Sequence, residues 1–215
     1  MYSLYELFNF RLFFSYGIVM AQIKFVIKDK FDSNDPVFKR LTDTISNYNN
    51  VNKIKLIINM TYNEGGEVAI MLAFVATIEK AVLNNTNLTI ELRFGGFAMS
   101  AAAFVFCYFV FYADIPRVRV LSNTRLSVIY HKPRMKQQNV SNFIFANDPI
   151  KMTKLNKPQQ TELISYTNQF DDVWDAVVAI YEMGGEAFDP SLLSSYNGNG
   201  DVAFTLSNRV FKGGY

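Results

Sequence analysis

The chain contains few of the residues on which metal and redox sites depend. Among its 215 residues there is one cysteine, Cys107, and one histidine, His131. A single cysteine excludes an internal disulfide and a cluster of thiolate ligands, and a single histidine excludes multi-histidine metal sites. We therefore expect no metal and no cofactor. Cys107 lies among Phe and Tyr residues, which predicts that it fills space in the core.

Excess charge of one sign is also missing. The chain has 21 Lys and Arg against 19 Asp and Glu, a net charge of +2, and its basic residues are scattered among acidic ones. This excludes the basic stripe that is typical of nucleic-acid binding proteins. Half of the residues are apolar, with 20 Phe and 12 Tyr, which indicates a folded domain with a substantial core.

One long stretch, residues 94–113, carries no charge. It is long enough to cross a bilayer. However, it begins next to two glycines, contains Ser100 and is flanked by strand-like sequence, which favours a helix buried in an α/β core. We expect no membrane partner. Residues 1–21 lack the features of a signal peptide, and we interpret them as an N-terminal arm of unknown role before a single domain at 22–215.

Strand-like and helix-like segments alternate from residue 22 onward, which is typical of a largely parallel sheet covered by helices. The predicted strands are 23–28, 54–60, 88–94, 118–121 and 126–130. The predicted helices are 37–48, 67–83, the segment after Ser100, 158–183 and 190–195. Gly184-Gly185 is expected to end the long helix. The chain is expected to close with a strand from Asp201, a cap at Thr205 and a short helix.

Three segments lie at predicted strand ends and helix starts, where parallel sheets place their sites. Gly65 and Gly66 end a buried strand and open a helix, so their amides can face an anion. Ser100 lies at the next such junction, among small residues that leave room for a substrate, as is common for a nucleophile. His131 ends a later strand, just before Pro133.

The order of these segments resembles the ClpP family, the proteolytic subunit of the Clp protease. Asn-Glu-Gly-Gly at 63–66, Gly-Phe-Ala-Met-Ser-Ala at 96–101 and His-Lys-Pro at 131–133 are similar to that family's Gly-Gly turn, nucleophile segment and His-x-Pro strand end. Asp201 stands four residues before Thr205, where the family has its third active-site member. The resemblance runs from about residue 22 to the C-terminus.

For the site, the resemblance implies that Ser100 is the nucleophile, His131 the general base and Asp201 the carboxylate that orients it. The amides of Gly66 and Ala101 would form the oxyanion hole. The reaction would be the hydrolysis of peptide bonds through an acyl-enzyme.

For the whole protein, the resemblance implies a ClpP/crotonase-like α/β fold of repeated β-β-α units, with a protruding helical handle at about residues 134–190. It further implies a homo-oligomeric ring, stacked ring on ring, and a Clp-type ATPase unfoldase as partner. Peptides or unfolded proteins would be the substrates. We expect the cytoplasm of a bacterium or of a phage-infected cell as the location, since the composition, with 20 Asn, is typical of an AT-rich genome such as that of a bacteriophage.

Several alternatives stay open. Asp171, Asp172 and Asp189 compete with Asp201 for the third role, and Lys132 offers a Ser-Lys pair, although neighbouring positions of a strand face opposite ways. Asn-Glu replaces the family's usual Ser-Pro before the two glycines, which places a charge beside the expected oxyanion hole. Other functions are a catalytically inactive structural subunit of the same fold, a crotonase-like acyl-CoA enzyme and a membrane-bound signal-peptide peptidase.

Overall fold

The computed structural model describes residues 21–48, 53–136, 143–183, 189–207 and 209–212. The predicted arm, except for Ala21, and Gly184-Gly185 lie outside the described residues. In chain order the elements are β1 (Ala21–Val26), α1 (Pro36–Asn47), β2 (Ile54–Asn63), α2 (Val68–Asn84), β3 (Leu88–Met99), α3 (Ala101–Cys107), a π-helical turn (Tyr108–Tyr112), β4 (Val118–Tyr130), β5 (Met135–Lys136), β6 (Phe143–Ile144), α4 (Pro149–Met152), α5 (Lys157–Met183), α6 (Pro190–Asn197), β7 (Val202–Leu206) and β8 (Arg209–Lys212).

The central sheet is mostly parallel, as predicted. Strands β1 to β4 lie side by side in chain order and run parallel, and β7 and β8 pair antiparallel with β4. Because parallel strands in chain order are joined by crossovers of one hand, their helices cover one face of the sheet. The core lies between this face and the helices, and it includes Leu56, Ile58, Phe74, Ile78, Ile90, Leu92 and Phe104. The carboxyl ends of β2, β3 and β4 consequently meet at one edge.

Four predicted helices, which are α1, α2, α5 and α6, are confirmed with small changes of bounds. Helix α1 begins at Pro36, and Asp35 caps it by accepting a hydrogen bond from the Val37 amide at 2.8 Å. This combination of an Asp cap and a first-turn proline is favourable because both satisfy the open amide end of a helix. Helices α2 and α5 lie within two residues of their predicted positions.

Strands β2, β3 and β4 are longer than predicted. The glycines of 95–96 belong to β3, which continues to Met99 because residues 96–99 pair with residues 126–129 of β4. The predicted strands 118–121 and 126–130 are one strand, β4. The uncharged stretch is therefore divided between β3, the seven-residue α3 and the π-helical turn. Within the described ranges, no helix combines the length and the apolar character that a membrane span requires.

The predicted C-terminal helix is wrong. Thr205 lies within β7, opposite Ser127 of β4, and β8 follows instead of a helix. The reason is that β4 offers an open edge beyond β3, and the alternation of buried Val202 and Leu206 with exposed residues between them fits a strand. Phe211 of β8 packs edge-on against Phe106 of α3, with ring centroids 5.1 Å apart.

Candidate active site

Ser100 is the single residue between the end of β3 and the start of α3. Its φ of +56° lies in the left-handed region, which costs a residue other than glycine about 1–3 kcal/mol. Its amide donates a hydrogen bond to the carbonyl oxygen of Ile129 at 2.9 Å, so β4 fixes the turn. The following residues, 101–103, are alanines with no exposed surface. Small side chains are needed here because α3 starts directly against the sheet.

Ser100, His131 and Asp201 form one hydrogen-bonded line. The Ser100 Oγ lies 2.9 Å from His131 Nε2, and His131 Nδ1 lies 3.0 Å from Asp201 Oδ1. Because a carboxylate only accepts hydrogen bonds, Nδ1 carries the proton, and Nε2 of the neutral ring accepts from the Ser100 hydroxyl. This is the tautomer in which an imidazole can take a proton from a serine. The fold thus brings together three residues that sequence reasoning selected.

The surroundings keep His131 neutral. The residue is only 6% exposed. Burial lowers the pKa of His131, the nearby Arg134 guanidinium lowers it further, and the charge and hydrogen bond of Asp201 act in the opposite direction. The net effect is a pKa below the ordinary value of 6.5, so the ring is an unprotonated base at neutral pH. The Asp201 side chain, in contrast, is 54% exposed.

A turn with two left-handed glycines lies against the serine. Gly65 and Gly66 have φ values of +102° and +112°. A Cβ atom on Gly65 would lie 2.6 Å from Ser100 Cβ and 2.8 Å from the Ala101 amide nitrogen. Only glycine permits both this conformation and this close approach. The predicted glycine turn therefore meets the predicted serine turn directly.

The hydrogen bonds of this turn leave two amides available. The Glu64 amide donates to the carbonyl of Asp29, the Gly65 amide to the side chain of Asn63 at 2.9 Å, and the Glu67 amide to the carbonyl of Phe31 at 3.1 Å. None of the described residues accepts a hydrogen bond from the Gly66 amide or from the amide of Ala101, the first residue of α3. One of these donors belongs to the residue after Ser100 and the other to the glycine turn that contacts Ser100 through Gly65. Unused donors near a serine are suited to binding a developing oxyanion.

The other candidates do not join the site. Lys132 Nζ lies 3.4 Å from Asp171 Oδ1, so the Ser-Lys pair that the sequence left open is not formed. Asp171 also accepts a hydrogen bond from the Tyr196 hydroxyl at 2.8 Å. Asp189 caps α6 by accepting from the Ser191 amide. Asp172 is exposed on α5, and Asp201 alone among the competing carboxylates contacts His131.

Sequence reasoning missed two residues of the site. Arg134 Nη1 lies 3.8 Å from Asp201 Oδ1, and its guanidinium lies 4.2 Å from the ring centroid of Phe143. Asn63 is fully buried and holds the Gly65 amide. A β-bulge between residues 61 and 63 turns it to the core side of β2. In the sequence, the only indication of a role for Asn63 is its position just before Gly65 and Gly66. No sequence pattern indicates that Arg134 lies near Asp201.

The comparisons with known proteins do not assign the chain to a family. No protein-family model matches the chain, and no curated protein matches its sequence significantly. The geometry of the site and the resemblance of its short segments are therefore the grounds for a function.

Proposed function

We propose that the chain is a serine peptidase of the ClpP type. The observation that carries this proposal is the line from Ser100 Oγ through His131 to Asp201, with both hydrogen bonds near 3 Å. The two unused amides of Gly66 and Ala101 beside the serine are the second support. A nucleophile, a neutral base, an orienting carboxylate and two donors are the complete set that acyl transfer requires.

Each group has a defined task in the reaction. The Ser100 oxygen attacks the carbonyl carbon of a peptide bond while its proton passes to Nε2 of His131. The amides of Gly66 and Ala101 stabilise the negative oxygen of the tetrahedral intermediate. The imidazolium, stabilised by Asp201, returns the proton to the departing amine. Water then attacks the acyl-enzyme with His131 again as the base, and Ser100 is released.

The proposed fold is that of the ClpP and crotonase proteins. The mostly parallel sheet with a glycine turn after β2, a serine after β3 and a histidine after β4 agrees with it, because this order repeats the order of the family's segments. The long α5, with its 27 residues, takes the place of the family's handle within about residues 134–190.

We further propose that the protein acts as a homo-oligomeric ring, with rings stacked through α5. Apolar side chains on that helix, Ile164, Ile180 and Met183, are exposed by 39–78%, which favours association through this surface. A Clp-type ATPase unfoldase would deliver unfolded chains, and short peptides would enter unaided. The cytoplasm of a bacterium, or of a cell infected by a bacteriophage, is the proposed location.

A fluorophosphonate probe tests the mechanism directly, since it reacts with an activated serine and needs no known substrate. We expect the wild-type protein to be labelled on Ser100, with the modified peptide identified by mass spectrometry. Ser100→Ala and His131→Gln should remove the label, whereas Ser207→Ala, an exposed serine after β7, should not. Labelling that persists in Ser100→Ala would end the proposal.

The remaining alternatives give different results in the same samples. A catalytically inactive structural subunit would sediment as an intact ring without labelling or turnover. A crotonase-like enzyme would gain thermal stability with an acyl-CoA, and its reaction would not need Ser100. Either result would replace the peptidase proposal.

A further inference from the structure

Helix α5 holds the chain on both sides of His131. The Tyr130 hydroxyl donates a hydrogen bond to the Phe170 carbonyl oxygen at 2.9 Å, and Lys132 Nζ lies 3.4 Å from Asp171 Oδ1. Alternate residues of an extended chain face opposite sides. Tyr130 and Lys132 therefore point to α5, while His131 between them points to Ser100. Tyr130 has no exposed surface and Lys132 is 9% exposed.

The same carboxylate holds the segment that carries Asp201. The hydroxyl of Tyr196, on α6, donates to Asp171 Oδ1 at 2.8 Å, and Lys132 Nζ lies 4.9 Å from the centre of the Tyr196 ring. Tyr196 is 1% exposed and stacks on Trp174 of α5. From α6 the connection to the site is short, because the Ser195 hydroxyl donates to the carbonyl oxygen of Asp201 at 3.2 Å.

Strand pairing stops just before the two residues that must meet. The antiparallel ladder of β4 and β7 ends with the pair Tyr130 and Val202, which are the neighbours of His131 and Asp201. Beyond the ladder, the chain that follows His131 and the helix that precedes Asp201 are both in contact with Asp171. The position of the Asp171 carboxylate is therefore related to the distance between His131 and Asp201.

Lys132 is buried, whereas the Asp171 side chain is 38% exposed. A buried ammonium group is costly without a partner, so the contact with Asp171 restricts where Lys132 can lie. The charged and titratable groups near Asp171 include Lys132, Tyr196 and Tyr130, with Asp172 and Asp175 nearby on α5. Those that face His131 are Arg134 and Asp201.

We propose that Asp171 is a positioning residue of the site, which sets the distance between His131 and Asp201 through Lys132 and Tyr196. The inference rests on the serine-peptidase function proposed above. Asp171 does not touch the reacting atoms, and its effect is transmitted by two neighbours.

The test uses a double variant, Lys132→Met with Asp171→Asn, which removes the ion pair without leaving a buried charge unpaired. Tyr196→Phe removes only the hydroxyl, and Asp172→Asn, at the next and exposed position, is the matched control. Since His131 is the only histidine, its imidazole signals in NMR spectra are unambiguous. The Nδ1 proton resonance and the titration of the ring are measured together with kcat and KM.

We expect the His131–Asp201 hydrogen bond to loosen in both test variants. The Nδ1 proton resonance should then shift or broaden, and the pKa of His131 should fall because Asp201 raises it in the intact site. The kcat should fall by about tenfold or more in the double variant, since small displacements of reacting groups are costly. The KM should stay the same, and Asp172→Asn should match wild type throughout.

An unchanged resonance, titration and kcat in the folded double variant would overturn the proposal and leave Asp171 a merely stabilising residue. If the double variant does not fold, the same three measurements on Tyr196→Phe decide. The NMR measurements need no substrate. They test the positioning role even if the fluorophosphonate experiment rejects the peptidase function, so the two failures are distinguishable.

Discussion

Polar groups lie at two positions along β3, at Glu91 in its middle and around Ser100 at its end. The hydrogen-bond partners of these groups differ between the two positions. Glu91, in the middle, is 1% exposed and receives Lys55 and Arg93 at 2.5 Å each and Arg119 at 3.6 Å. Burial acts to raise the pKa of Glu91, but the hydrogen bonds from Lys55 and Arg93 outweigh it and hold the pKa below the ordinary 4.5. Both carboxylate oxygens of Glu91 therefore have cationic partners, although the Nε of Arg119 has no hydrogen-bond partner among the described residues.

The region around the end of the strand, in contrast, contains two backbone amides without acceptors in the part of the chain that the structure describes, and a serine with a strained backbone. Ser100 has a strained φ, the Gly66 and Ala101 amides lack acceptors among the described residues, and His131 has a lowered pKa. Burial without compensation is costly, and proteins retain it where a ligand or transition state supplies the missing partner. We infer that substitutions at Glu91 act on stability and that substitutions after Met99 act on activity.

The largest expected effect separates activity from stability at Ser100. Ser100→Gly and Ser100→Ala should each lower kcat on the order of 10⁶-fold, because the proposed nucleophile is lost. Ser100→Gly should also be more stable than Ser100→Ala, with an unfolding free energy higher by about 1 kcal/mol, since glycine accepts a positive φ without strain. Its melting temperature should be higher accordingly. Thermal melting of the two variants measures this. Equal melting temperatures would show that the turn is not strained.

Asp201→Asn should have the next largest effect. The amide cannot stabilise the imidazolium, and it favours the wrong histidine tautomer, so kcat should fall by roughly 10⁴-fold. Stability should change little because the Asp201 side chain is 54% exposed. A decrease of less than tenfold in kcat would mean that Asp201 is not the orienting carboxylate. Steady-state kinetics with a fluorogenic peptide provides the measurement.

Glu91→Gln makes the same carboxylate-to-amide change as Asp201→Asn, but in the cluster of Lys55, Arg93 and Arg119 in the middle of β3. It should lower the unfolding free energy by about 2 kcal/mol, because three cations lose their partner, and leave kcat unchanged below the melting temperature. A lowered pKa means that the contribution of Glu91 is complete above about pH 4.5 and is lost as the pH falls through the folded-state value. Denaturant titrations at neutral and acid pH should show the two proteins converging in acid. If Glu91→Gln lowers kcat and leaves the unfolding free energy unchanged, the inferred division between stability at Glu91 and activity after Met99 is wrong.

The smallest expected effect is a change in pH dependence. Arg134→Gln removes a cation that lowers the pKa of His131. The ring then stays protonated to higher pH, so the acidic limb of kcat/KM should move to higher pH. Arg125→Gln, an exposed substitution on β4, is the control and should leave the limb in place. A limb that moves to lower pH would contradict the assigned direction.

The sequence predicted which residues of the candidate site lie together more completely than it predicted the strands around them. Ser100, His131 and Asp201 stand in short segments with a fixed order, and glycines mark the turn that approaches them, so a local pattern was enough. The end of β3 and the C-terminal β8 were mispredicted because both depend on pairing with β4, which is a non-local interaction. Glycines at 95–96 suggest a break in the strand, yet the ladder to residues 126–129 continues through them.

The neighbours of the site residues could not be predicted from the sequence, because these contacts are also non-local. Asp171 was one of several acidic residues on a predicted helix, and its contact with Lys132 across 39 positions requires the packed structure. The inward orientation of Asn63 follows from a β-bulge, which reverses the alternation that the strand pattern predicts.

The late position of β7 in the chain determines when the candidate site can form during synthesis. Asp201 comes 70 residues after His131 in the chain, and β7 must pair with β4 before its carboxylate reaches the ring. Since a ribosome adds residues from the N-terminus, the serine and histidine of a growing chain emerge long before their third partner. For the proposed peptidase, the Ser100–His131–Asp201 line would therefore form only after Asp201 and residues 202–206, which pair with β4, have been made.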